Sequence, residues 1–337
     1  MTAGEHRNAL PAGYRLESYR FERVLAAGGF GITYLARDVD LARAVAIKEF
    51  LPATLAMRGE GTRVVAISDA DKEDFDYGLD RFRREAEMLT AFNHPNIVRV
   101  YRYIEANGTG YLVMEYRRGS SLGEILVMRG KLDPDELDDI FDPLLVGLDE
   151  VHRRGFLHLD IKPSNLYCCS DSTPMLIDFG AARHAISRRT NTLHRVVSAG
   201  YSPPELYAVD HPGSPAADIY AMGAVMYHAV SGTPPPPAPT RLGRDRYVPA
   251  KRAAGRRYAP TLLEAIDWAL ACDETKRPES VALWREAIER GGAPSGAGRA
   301  GGRSMGRPGA DALVRWLWIG VAALSGLVAI GLIALMA

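Results

Sequence analysis

The run His158-Leu159-Asp160-Ile161-Lys162-Pro163-Ser164-Asn165, with Asp178-Phe179-Gly180 beginning thirteen positions after Asn165, constrains this chain more than any other feature. It offers a carboxylate able to orient a hydroxyl, an ammonium for phosphate charge, and an amide and a second carboxylate with hard oxygens for a metal ion. Those groups answer the demands of phosphoryl transfer. The transferring group spreads negative charge over several oxygens and asks the protein mainly for positioning and countercharge.

Other elements stand in order around it. Upstream, Leu25-Ala26-Ala27-Gly28-Gly29-Phe30-Gly31-Ile32-Thr33-Tyr34 is a run of small residues that lets backbone N–H groups approach a phosphate, although alone it is also an ordinary turn. Val45-Ala46-Ile47-Lys48 is an apolar strand ending in a cation. Residues 81–92 carry Glu85 and Glu87, with Phe82, Met88, Leu89 and Phe92 at helical spacing. Tyr111-Leu112-Val113-Met114-Glu115-Tyr116 reads as a buried strand, and Tyr201-Ser202-Pro203-Pro204-Glu205, Asp218 in an apolar run, and Lys276-Arg277-Pro278 follow. Over roughly residues 17 to 290, this order of motifs resembles the protein kinases.

The resemblance implies an α+β, bilobal protein kinase fold, with a small β-rich lobe at 17–116, a large helical lobe at 117–290 and ATP in the cleft between them. Leu25, Ala26, Ala27, Gly28, Gly29, Phe30, Gly31 and Thr33 are then expected to cover the nucleotide. Lys48 should reach its phosphates and pair with Glu85, which lies nine residues before His94-Pro95 and is preferred to Glu87 on that spacing. Ala46 is expected in the ATP site and Tyr167 at the adenine floor, with Met114 as gatekeeper and the Glu115 and Tyr116 backbone binding the base. Asp160, Lys162 and Asn165 are the expected catalytic residues, and Asn165 and Asp178 the ligands of Mg2+, with Mn2+ as an alternative. Asp218 should brace the catalytic-loop backbone, and Glu205 should pair with Arg277. In the family, a Lys at the place of Lys162 marks Ser/Thr kinases rather than Tyr kinases. Phe30-Gly31-Ile32-Thr33-Tyr34 and Lys48-Glu49-Phe50-Leu51-Pro52 look most like the bacterial Hanks-type enzymes. The expected activity is transfer of the ATP γ-phosphoryl to Ser/Thr hydroxyls of proteins, the chain itself included.

Several positions depart from the pattern. Leu159 stands where many kinases carry an Arg that receives an activation-loop phosphate, so activity is expected not to depend strictly on loop phosphorylation. Acceptors remain at Ser187, Thr190, Thr192 and Ser198, among Arg183, Arg188, Arg189 and Arg195. Ser198 is expected instead to hold the substrate-side loop. Ala26 replaces the first loop glycine, Pro203 a usual alanine, and Tyr167 a smaller aliphatic. Lys48 and Glu85 are also farther apart than a tight strand-to-helix connection requires. The surplus, at 53–74, holds a short apolar run at Val64-Val65-Ala66-Ile67 and then acidic residues. It reads as a benign insertion or as a regulatory surface beside the Glu85 helix.

Beyond residue 290 the composition changes. Residues 291–315 form a Gly-, Ser-, Pro- and Arg-rich linker that cannot bury a core. Residues 316–337 contain no charge, and at 1.5 Å per residue the 22-residue helix would span about 33 Å, enough for a hydrocarbon core of about 30 Å. A single C-terminal transmembrane helix is expected, with Trp316 and Trp318 at its interface end and the flanking arginines holding the kinase lobe in the cytoplasm. Nothing follows it, so input is expected from the cytoplasm, the bilayer or a partner. Ala322 with Gly326 and Ser325 with Ala329 give small-residue spacings that would suit a homodimer.

A formal net charge of zero gives no basic bias toward nucleic acid, and the three cysteines lack metal-site spacing. Residues 241–257 form a local basic stretch, read as a solvated loop or a docking site for an acidic substrate or membrane. The first 16 residues are an N-terminal extension. Two alternatives are a catalytically weak pseudokinase scaffold at the membrane and a small-molecule phosphotransferase. The intact Lys48, Glu85, Asp160, Asn165 and Asp178 set argues against the first, and Lys162 with the Glu205 segment against the second.

Overall fold

The structure is a computed structural model and describes residues 8–180, 197–208, 211–243 and 245–290. The acceptors Ser187, Thr190 and Thr192 with their arginines, the linker and the 316–337 segment lie outside the described residues. Among the described residues, no helix is long and apolar enough to cross a membrane.

The small lobe is a six-stranded antiparallel sheet in the order β1-β2-β3-β4-β8-β7, formed by Arg15–Leu16 (β1), Tyr19–Gly28 (β2), Gly31–Asp38 (β3), Arg43–Phe50 (β4), Val100–Ala106 (β7) and Thr109–Glu115 (β8). Strand β3 shows why: Ile32, Tyr34 and Ala36 alternate inward while their neighbours are more exposed, the period of two that a half-buried strand requires. A separate hairpin of Ala56–Arg58 (β5) and Val64–Ala66 (β6) fills the insertion.

Helix α1 then runs over Asp69–Thr90, and Phe75, Phe82, Ala86 and Leu89 bury its inner face. Phe50 stacks against Phe82 with ring centroids 5.4 Å apart, fixing the helix on the sheet. Ser68 caps the helix by accepting the Asp71 N–H. The acidic residues expected in the insertion therefore belong to the helix. Asp69 and Asp71 occupy its first turn, where negative charge is favoured by the exposed N–H groups.

Strand Gly119–Ser121 (β9) and helix Leu122–Arg129 (α2) lead into the large lobe. Helix α3, Pro134–Arg153, opens at Asp133-Pro134-Asp135-Glu136, where proline and acidic residues favour a helix start, with the Glu136 carboxylate accepting the Asp133 N–H at 3.0 Å. Strands Leu166–Cys169 (β10) and Pro174–Leu176 (β11) pair with β9 in the order β11-β10-β9. Helix α4, Pro215–Ser231, is buried almost all round, as its largely apolar sequence demands, with Asp218 as a buried charge within it. Helices Pro260–Ala269 (α5) and Val281–Arg290 (α6) close the lobe, with the fully buried Trp284 donating to the Ala265 carbonyl at 2.9 Å.

The 241–257 stretch is not uniformly solvated. Arg241 is 6 % exposed and donates to the Leu270 carbonyl at 2.9 Å and the Tyr220 hydroxyl at 3.2 Å. It is a packing residue, and Arg257 is engaged by Asp133.

Candidate active site

The 158–165 loop connects α3 to β10 and is held from beneath by α4. Asp218, 1 % exposed, accepts the Leu159 N–H on Oδ1 and the His158 N–H on Oδ2, both at 2.8 Å, and His152 Nε2 lies 2.9 Å from Oδ2. These bonds hold Leu159 at φ 58, a left-handed conformation that a Leu avoids unless its surroundings impose it. The Leu159 side chain settles over Gly213, where an added Cβ would stand 2.5 Å from Leu159 Cδ2. Burial alone would raise the Asp218 carboxyl, but the His152 bond and the charges of His152 and His158 hold it below the ordinary carboxylate value.

Asp160 lies at the end of this brace and is 5 % exposed. The Asn165 amide donates through Nδ2 to the Asp160 carbonyl at 2.9 Å, to Asp160 Oδ2 at 2.6 Å and to the Asp178 carbonyl at 3.3 Å. Lys162 Nζ sits 2.9 Å from Asp160 Oδ2, and Ser198 Oγ donates to Asp160 Oδ1 at 3.4 Å. Ser198 is thus brought to the Asp160 carboxylate. Burial lowers the Lys162 pKa, with Lys48 adding to the effect and Asp178 opposing it.

Asp178 has φ 62, again left-handed, and its carboxylate pairs with the Lys48 ammonium. Lys48 was expected to meet Glu85. Among the described residues its ion pair goes to Asp178, which the β10–β11 hairpin brings beneath β4. Burial would raise the Asp178 carboxyl, but Lys48 and then Lys162 hold it below the ordinary carboxylate value. The Phe179 ring stacks on His158 at 4.3 Å, and the Gly180 N–H reaches the His158 carbonyl at 2.8 Å, so the two motifs form one unit.

The donor set suits a small hard cation. With Nδ2 committed to three acceptors, the Asn165 amide offers its Oδ1 oxygen, which accepts the Ser164 hydroxyl at a long 3.3 Å, and Asp178 offers a carboxylate that is ionised at neutral pH. Oxygen ligands of this kind fit magnesium.

These groups open on a cleft of about 820 Å³, a size that small-molecule sites commonly have. Every nucleotide or metal residue expected from the sequence lines it: Leu25 through Gly31, Thr33, Ala46, Lys48, Glu85, Met114, Glu115, Tyr116, Asn165, Tyr167 and Asp178, together with Lys162. Asp160 adjoins through its contacts with Lys162 and Asn165. Glu85 is 5 % exposed and faces the cleft, whereas Glu87 points to solvent and pairs with Arg83 at 2.7 Å. The glycines divide by role. Gly28 and Gly29 meet nothing within 4 Å, which leaves room for a ligand, but a Cβ on Gly31 would lie 2.1 Å from the Glu49 carbonyl. Gly31 thus serves the close approach of β3 to β4.

Sequence reading missed Val98, Met175, Ile177 and Arg117, which also line the cleft. Val98 and Met175 form a small apolar cluster with Cys169, packed by Met114, Tyr167 and Ile177. The apolar run Met175-Leu176-Ile177 was the available signal. The Glu115 N–H is already donated to the Arg99 carbonyl at 2.8 Å, so what Glu115 offers a base is its own carbonyl.

The family model for the protein kinase domain matches residues 19–287. The chain belongs to the protein kinase family. It is 30% identical over 252 residues to the serine/threonine-protein kinase PrkC of Bacillus subtilis, covering 74% of this chain and 36% of that protein. It is 33% identical over 223 residues to PknA of Mycobacterium tuberculosis, covering 64% and 47%. With PknB of Mycobacterium leprae it shares 34% over 226 residues, covering 65% and 33%. This kinase chain therefore spans between a third and a half of the length of these curated relatives. Among solved structures, the apo form of PpkA-294 matches with a TM-score of 0.78 at 33% identity, covering 83% of this chain and 99% of that one. Rad53 residues 1–466 in complex with AMP-PNP match with a TM-score of 0.60 at 21% identity, a likeness of fold.

Proposed function

We propose that this chain is an ATP-dependent serine/threonine protein kinase of the bacterial Hanks type, anchored in a membrane through residues 316–337 with its kinase domain in the cytoplasm. The observation that carries the reading is the seating of Asp160 among Asn165, Lys162 and Ser198 at the mouth of a nucleotide-sized cleft. Asp160 Oδ1, toward which Ser198 leans, is the oxygen that would accept the proton of an incoming Ser or Thr hydroxyl and aim it at the phosphoryl group. Lys162, half-buried beside it, supplies positive charge where the transferring oxygens gather. Lys48 and Glu85 serve the phosphates from the small lobe, and Ala46, Tyr167 and Met114 enclose the base. Asn165 and Asp178 would hold a divalent cation that neutralises phosphate charge.

Autophosphorylation and turnover of other proteins both follow from this reading, with the protein substrate meeting the large lobe near Ser198. The charge-free stretch at 316–337 and its arginine-rich flank support the bilayer anchor, and its small-residue spacings support a helix-paired dimer.

Incubating the full chain in detergent with labelled ATP, Mg2+ and a generic Ser/Thr protein substrate tests the activity, with Asp160→Asn as control. Phosphoserine or phosphothreonine in wild type and its loss in the control are expected. Absence of transfer from soluble, folded wild type would sink the proposal. Flotation with liposomes, comparing the full chain with one ending at 315, tests the anchor, which fails if both float or both sink.

A further inference from the structure

The buried carboxylate Glu49 has no part in the chemistry described so far. It follows Lys48 on β4, so it faces the reverse side of the sheet, and it is fully buried. The Tyr111 hydroxyl donates to its Oε1 at 2.6 Å, the Tyr34 hydroxyl to its Oε2 at 2.8 Å, and the Arg58 guanidinium pairs with Oε2 at 2.5 Å. Arg58 comes from the insertion hairpin. Its remaining donors reach the Asn8 carbonyl and the Thr62 carbonyl, each at 2.7 Å. Burial would lower the Arg58 pKa, but Glu49 more than reverses this and keeps the guanidinium charged.

The same segment touches three parts of the nucleotide site. At its start, the Leu51 and Ala53 N–H groups donate to the Phe30 and Gly29 carbonyls at 3.1 and 2.9 Å, holding the tip of the glycine-rich turn. In its middle, Arg58 grips the strand that carries Lys48. At its end, the Ile67 N–H bonds the Leu55 carbonyl at 2.9 Å and Ser68 caps the helix that carries Glu85. Glycine turn, lysine strand and glutamate helix thus share one connector.

We propose that residues 51–68 act as a brace that sets these three elements relative to one another, with the Arg58–Glu49 ion pair as its pin. Arg58 and Glu49 are positioning residues for phosphoryl transfer, acting from the reverse face of the small-lobe sheet. The inference rests on the kinase reading above. The hydrogen bonds explain why the motif Lys48-Glu49-Phe50-Leu51-Pro52 carries an acid after the lysine: the brace needs a buried acceptor for one guanidinium and two phenols.

The test uses the full chain in detergent, with Arg58→Met, Arg58→Lys and the double variant Glu49→Gln/Arg58→Met. Arg58→Met strands a buried carboxylate, and at a temperature where circular dichroism shows it folded, kcat/KM for ATP should fall by about tenfold or more, since small displacements of positioning groups are costly. KM for the protein substrate, which meets the large lobe, should stay within about twofold of wild type. Arg58→Lys keeps the charge but cannot serve all three acceptors, so an intermediate defect is expected even if the Met variant does not fold. In the double variant the stranded charge is gone, so Tm should return toward wild type while the ATP-side defect persists. Activity that returns together with Tm would overturn the proposal, because the pair would then serve stability alone. So would a folded Arg58→Met or Arg58→Lys chain with wild-type kcat/KM for ATP. A wild-type chain without any transfer would instead refute the kinase reading.

Discussion

Replacing Asp218 by Asn should uncouple the catalytic loop from the helix that carries it. The carboxylate now accepts two backbone N–H groups at 2.8 Å and has His152 Nε2 at 2.9 Å. An amide accepts one of those N–H groups through Oδ1, but its Nδ2 then confronts the other donor. Losing that N–H bond and the His152 bond to a charged acceptor costs roughly 1.5–3 kcal/mol each, or about 3–6 kcal/mol together. The left-handed Leu159 stores about 1–2 kcal/mol of backbone strain, less than those bonds supply. Without them the loop relaxes toward an ordinary φ and carries Asp160 with it. A displacement on the order of 1 Å at a reacting group costs about 100-fold in rate. The assay is steady-state phosphorylation of a Ser/Thr substrate at 25 °C, with thermal melts on the same samples. The expected result is a kcat lowered by about 100-fold in a protein that still melts cooperatively, at a Tm lower by roughly 6 °C or more. A folded Asp218→Asn chain with kcat within about threefold of wild type would refute the reasoning.

The acid limb of stability should respond to the same residue. Asp218 has a native pKa below its unfolded value, so the stability it contributes is present above the unfolded value of about 3.9 and is lost as pH falls through the lowered native one. Urea midpoints measured from about pH 6 to about pH 3 should therefore fall less steeply in Asp218→Asn than in wild type. Glu205→Ala leaves the Arg277 guanidinium, whose side chain is 0% exposed, with three carbonyls and no counter-charge, and should cost about 3–5 kcal/mol in a denaturant titration. An unchanged midpoint would show the pair to be dispensable. Gly31→Ala forces a Cβ into the Glu49 carbonyl and should destabilise by about 1–3 kcal/mol, while Gly29→Ala, with open space around it, should leave Tm unchanged. Equal Tm values for the two would contradict the division of roles in the glycine-rich turn.

Much of the site was legible because its chemistry is written in short segments. Asp160, Lys162 and Asn165 lie within six residues and return together in space, and Asp178 joins them through one hairpin of β10 and β11. Glu85 was readable from spacing, but its separation from Glu87 rests on helix rotation: two residues turn a side chain by about 200°, and Phe82, Ala86 and Leu89 decide which side is buried. Acidic residues after the insertion looked like part of a loop because charge gives no helical period. The Ser68 cap and the packing of Phe75 draw them into α1.

The sequence by itself determined the reaction class, the order of the motifs and which residue types would meet a nucleotide, since these depend on side-chain chemistry and local periodicity. It could not determine who meets whom across the sheet. Glu49 and Arg58 are nine positions apart, but their ion pair depends on the face that β4 presents, on the register that sets Tyr111 opposite Glu49, and on the hairpin that folds back over both. Lys48 meeting Asp178 and the left-handed turn of Leu159 are likewise products of distant elements brought within bonding distance, although the resemblance had already implied that Asp218 braces that loop. A buried charge takes the partner that packing delivers to it, and packing is a property of the folded whole.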